Sequence, residues 1–83
     1  MIEVKKTTYK VDGCVEPCFE VSDGYTLVRL APLYHYCEKT TTLITEYVDG
    51  EFNSSEEWSV EFDSLCESQA VDVAHRYSAY LLL

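Results

Sequence analysis

The chain has 83 residues, with 15 Asp and Glu against 6 Lys and Arg and a formal net charge of −9. That length allows one domain, 1–83, and 47% apolar residues are too many for a disordered chain. The acidity argues against direct nucleic-acid contact and against an anionic membrane, and no apolar run approaches the ~20 residues that span a bilayer.

Three Asp-Gly pairs, Asp12-Gly13, Asp23-Gly24 and Asp49-Gly50, separate β-rich segments. Such a pair is a strong hairpin signal, because a type I′ turn needs φ > 0 at both central residues. Residues 2–11 are the first predicted strand and 14–22 the second, with Pro17 marking an edge or bulge. If Asp12-Gly13 closes a two-residue loop, Val4 faces Val21 and Lys5 faces Glu20. The third strand covers 25–37 and breaks near Pro32; pairing around Asp23-Gly24 sets Phe19 opposite Val28. Ile2, Val4, Phe19, Val21, Val28 and Leu30 then share one face. The fourth strand covers Thr41–Val48.

Trp58-Ser59-Val60-Glu61-Phe62 alternates apolar and polar and reads as a short fifth strand with Trp58 in the core. A helix starting at Ser54, capped with Glu57, is the rival. Ser64 and Glu67 form a further capping box, from which Cys66, Ala70, Val73, Tyr77 and Tyr80 recur at helical spacing for about 19 residues. A sheet with one apolar face and a helix with one apolar stripe make an α+β two-layer fold: an antiparallel β-meander of four to five strands packed against one C-terminal amphipathic helix.

Cys14, Cys18, His35, Cys37 and Cys66 raise the question of zinc. Cys14 and Cys18 are four rises apart on a strand, about 13 Å, which does not suit a zinc knuckle. Cys14, His35 and Cys37 could approach one another if the second and third strands pair Cys14 with Leu33, a weak ligand set. No metal or cofactor is expected. No apolar run follows the basic Met-Ile-Glu-Val-Lys-Lys start, so no secretory signal is expected; free thiols in the cytoplasm are, with Cys66 buried on the helix stripe. A nucleophilic His35–Cys37 pair lacks an identifiable orienting carboxylate, and the size leaves little room for a catalytic cleft, so no enzymatic activity is expected.

Binding is the better expectation. From Glu46 to Asp72 there are nine acids in 27 residues and no Lys or Arg. Glu46, Asp49, Glu51, Glu56, Glu57, Glu61 and Asp63 are the candidate contacts for a basic protein, with Tyr34, Tyr36 and Tyr47 as aromatic anchors. Val71 and Leu82, outside the helix stripe, suggest a homodimer contact through the helix.

A short chain with a hairpin-rich start, then Glu61-Phe62-Asp63-Ser64-Leu65 leading into an acidic amphipathic helix, resembles small acidic phage-encoded inhibitors of the anti-CRISPR and DNA-mimic type. The resemblance implies a non-enzymatic inhibitor that covers a nucleic-acid-binding effector in the host cytoplasm. The acids cluster in the second half and do not form two even rows, which favours charge complementarity over duplex mimicry. An immunity protein or antitoxin against a basic nuclease fits the same physics, and a structural or zinc-binding mini-domain is the third reading.

Overall fold

The computed structural model describes residues 1–35 and 39–81. Five strands, β1 (Glu3–Val11), β2 (Cys14–Ser22), β3 (Thr26–Tyr34), β4 (Thr40–Val48) and β5 (Glu51–Trp58), form one antiparallel sheet in the order β1-β2-β3-β4-β5. A 3₁₀ turn (Phe62–Ser64) and one helix, α1 (Glu67–Tyr77), follow. The expected meander and C-terminal helix are both present.

The Asp-Gly turns set the registers. Asp12 and Gly13 have φ of 49° and 82°, and Asp49 and Gly50 of 52° and 79°, the positive values that type I′ turns require. Val4 faces Val21 and Lys5 faces Glu20, as the two-residue loop demands. The middle hairpin is wider than expected. Asp23 Oδ1 accepts the backbone N–H groups of Tyr25 and Thr26, and the Asp23 N–H reaches the Thr26 carbonyl. This turn lengthens the loop, so Phe19 pairs with Leu30 and Val21 with Val28. A shift of two residues keeps each side chain on its face, and the expected apolar face survives.

The fifth strand is not where the alternation put it. Asp49-Gly50 turns β4 directly into β5, with Val48 opposite Glu51 and Thr42 opposite Trp58. A bulge inserts Asn53 between Tyr47↔Phe52 and Glu46↔Ser54. Trp58 ends the strand. Val60, on the connection after β5, and Phe62, which opens the 3₁₀ turn, still turn inward, and the Val60 carbonyl accepts the Thr42 hydroxyl at 2.7 Å. The rival helix from Ser54 is excluded, because Ser54 lies in β5.

α1 has 11 residues, not about 19. Ser64 is spent in the 3₁₀ turn, and the cap falls to Cys66, with Gln69 Oε1 accepting the Cys66 N–H at 3.0 Å. Cys66 is therefore exposed and not on the buried stripe. At the other end Ser78 leaves helical geometry (φ −89°, ψ 131°), and its hydroxyl accepts the N–H groups of Tyr80 and Leu81. That turn drops Leu81 into the core and leaves Tyr80 exposed.

Phe19, Val21, Val28, Leu30 and Ile44 of the sheet meet Phe62, Ala70, Val73, Ala74 and Leu81 in one cluster. Phe19 and Phe62 rings lie 5.8 Å apart. Trp58 is half-buried at the margin of this core, its ring 5.8 Å from that of Tyr77 and under Arg76. Val71 also packs against the cluster, which removes it from the expected helix-mediated contact; Leu82 lies outside the described residues.

Candidate interaction surface

The acids expected to meet a partner divide into two groups. Glu46 sits on the helix-facing side of β4, opposite Val28, and is only 3% exposed. Its carboxylate accepts Asn53 Nδ2 at 2.7 Å and the Ser78 hydroxyl. It ties β4 to β5 and to the end of α1, and is no surface contact. Asp49, Glu51, Glu56, Glu57, Glu61 and Asp63 are all exposed. Glu56 accepts the Trp58 indole N–H at 3.1 Å, and Glu57 accepts the Thr41 hydroxyl at 2.7 Å.

Glu57 also meets His35 Nε2 at 2.7 Å. The Thr41 hydrogen bond first, and His35 second, hold the Glu57 carboxyl below the usual range. Thus His35 does have an orienting carboxylate, on β5 across the sheet. The expected pairing of Cys14 with Leu33 is not formed: the β2–β3 ladder ends at Phe19↔Leu30, and Cys14 stays exposed at the hairpin tip. Cys37 and Tyr36 lie outside the described residues. Among the described residues no three His, Cys, Asp or Glu side chains converge on a metal position. Tyr34 is exposed, its hydroxyl donating to Glu16 at 3.3 Å.

Tyr47 lies on the sheet face opposite α1, with residues that sequence reasoning missed. Arg29 pairs with Glu20 at 3.1 Å and stacks between the rings of Tyr9 (5.3 Å) and Tyr47 (5.5 Å). The four side chains come from four of the strands and hold one another. The Tyr47 ring meets Phe52 edge-on at 6.2 Å, which joins this cluster to the acidic strand. Beside it Tyr25, Leu27, Arg29 and Tyr47 line a cavity of about 440 Å³ between the turns at Gly24 and Gly50. Tyr25 and Phe52 are 58% and 63% exposed, a large apolar display for so small a domain. The missed signal was the middle register: numbers summing to 49, not 47, put Arg29 directly opposite Glu20.

Tyrosine, phenylalanine and arginine are the side chains that anchor protein interfaces, because they bury much area at small entropic cost. Here such a patch adjoins an exposed row of acids. Among the described residues the ion pairs are Arg29–Glu20 and His35–Glu57, so Asp49, Glu51, Glu56, Glu61 and Asp63 have no cationic partner.

The thiols differ in the same way. Burial pushes the Cys18 thiol up, reinforced by Glu20, whereas the Ser68 hydroxyl and the first backbone N–H groups of α1 draw Cys66 down. Iodoacetamide at neutral pH should therefore alkylate the exposed Cys66 readily and leave Cys18 untouched until the protein unfolds, as read by peptide mass mapping. Early labelling of Cys18 in the folded protein contradicts its burial.

Compared with known proteins, the chain matches no family model, no curated protein and no solved structure.

Proposed function

We propose that this protein is a non-enzymatic inhibitor that docks on the basic, nucleic-acid-binding surface of a partner protein, in the manner of the anti-CRISPR type. The observation that supports this reading most is the row of exposed acids on β5 and the following turn. Apart from Glu57, which meets His35, they have no cationic partner among the described residues, and they lie next to the Tyr47–Phe52 pair. A strand in a sheet holds its charges in fixed positions, so their field adds at one side of the molecule. Such a field steers a cationic partner into encounter, raising the association rate by about 10–10³-fold at low salt. The aromatic pair supplies the desolvated contact that slows departure.

The test is capture of partners on the tagged protein from a bacterial lysate, eluted in rising salt, followed by kinetics with the partner so named. Glu51→Lys, Glu56→Lys and Glu61→Lys together should cut the association rate at least tenfold and flatten its salt dependence. Phe52→Ala should mainly speed dissociation. A triple variant that binds the partner as the parent does refutes the acidic-row reading. A basic nuclease toxin as the captured partner replaces the effector-inhibitor reading with that of an immunity protein.

A further inference from the structure

Among the described residues β1 and β5 are the two edges of one open sheet, each with a single strand neighbour. Their charges are opposite. β1 carries Lys5, Lys6 and Lys10 against Glu3, a net +2, and β5 carries Glu51, Glu56 and Glu57 with no cation, a net −3. The registers distribute these charges over both faces. Lys5, opposite Glu20, and Glu57, opposite Leu43, lie on the face away from α1; Lys6, opposite Phe19, and Glu56, opposite Ile44, lie on the face toward it. The edges are of similar length, nine and eight residues.

We infer that β1 of one copy pairs with β5 of a second, extending the sheet head to tail. Charged edges ordinarily prevent strands of different molecules from joining. Here that protection is selective. Joining β1 to a second β1 sets lysine against lysine, and joining β5 to a second β5 sets glutamate against glutamate. Both symmetric dimers are thereby discouraged, while the unlike pairing puts opposite charges on neighbouring strands about 5 Å apart.

The backbone agrees. Val11 and Cys14 close the first hairpin as a hydrogen-bonded pair, and the alternation of an antiparallel ladder then directs the N–H and C=O groups of Lys10, Thr8, Lys6 and Val4 outward. On β5 the bulge lies near the turn, and Ser54 to Trp58 pair regularly with β4. The net −9 of each copy opposes association over long distances. At 0.15 M salt it is screened beyond about 8 Å, whereas the cross-edge pairs lie inside that length.

A heterologous contact of this kind leaves one edge of each sign free, so growth is open-ended. It also covers Glu51 and Glu56, which places self-pairing in competition with the partner proposed above. The purified 83-residue protein is sufficient for the test. Sedimentation equilibrium at about 0.15 M salt, from about 10 μM to about 1 mM, should show a mass rising steadily from 9.5 kDa without a plateau at the dimer. The rise should vanish at about 1 M salt.

Two variants make the result specific. Lys5→Glu with Lys6→Glu makes both edges acidic, and Glu56→Lys with Glu57→Lys makes both basic. Each alone, shown folded by circular dichroism, should stay at 9.5 kDa, and an equimolar mixture should regain association. A monomeric parent at every concentration, a closed dimer, or growth insensitive to the charge changes overturns the inference.

Discussion

Glu46→Lys should unfold the protein, although lysine at the neighbouring acids Asp49, Glu51 or Glu56 should leave it folded. Glu46 is buried beneath the end of α1 with Asn53 and Ser78 as its hydrogen-bond donors. A hydrogen bond to a charged group contributes about 1.5–3 kcal/mol, and breaking a buried charged arrangement costs about 3–5 kcal/mol. Lysine does more than remove an acceptor: it sets a cation against the same two donors. A domain of this length is stable by roughly 4–12 kcal/mol in total. Ser78→Ala is the milder probe, expected to cost about 1.5–3 kcal/mol. It removes a donor to Glu46 and the acceptor that holds the N–H groups of Tyr80 and Leu81. Thermal melting checks the series, since each kcal/mol moves Tm by about 4–8 °C in a domain this small. A Glu46→Lys protein that melts near the parent temperature refutes the structural role of this carboxylate.

The second large effect belongs to Phe19. It is 2% exposed, faces Leu30 across the sheet, packs on Phe62 and has the Lys6 ammonium 5.7 Å from its ring. Phe19→Ala leaves a cavity where the sheet meets the 3₁₀ turn and should cost about 3–5 kcal/mol, so the transition falls by tens of degrees. Phe52→Ala is the control. Its ring is 63% exposed, so the same chemical change should cost within about 0.5 kcal/mol. Equal losses at the two positions contradict the burial that separates them.

These residues also show what a sequence of this kind reveals. Asp12-Gly13 and Asp49-Gly50 dictate I′ turns, so the β1–β2 register could be counted from residue numbers alone. The middle turn could not be counted, because Asp23 uses its side chain to build a wider loop. β5 had no apolar alternation to announce it. Glu51-Phe52-Asn53-Ser54-Ser55-Glu56-Glu57 is an edge segment whose pairing comes from the preceding turn. The alternation from Trp58 to Phe62 was real as burial, but pairing stops at Trp58, since a short connection lying on a core can bury every second residue as a strand does. The length of α1 was hidden for a related reason. Ser78 ends the helix to reach Glu46, and nothing local distinguishes a buried glutamate from the exposed ones around it. The candidate surface was half legible: the acids of β5 were evident, whereas the Arg29 cluster needs four strands in register before it exists.

Strict chain-order pairing of the strands has a consequence for the protein during its synthesis. A hairpin closes in about 1–10 μs, while residues are added at about 5–20 per second, so each new strand finds its predecessor before the next emerges. The second layer cannot keep pace. When β4 is complete at Val48, Leu81 is still 33 residues away, a delay of roughly 2–7 s. Throughout that interval Val21, Val28, Leu30 and Ile44 form an apolar sheet face with no helix over it. The nascent chain is most prone to aggregation in that interval, and the acids added from Glu51 onward repel neighbouring chains until α1 closes over the core.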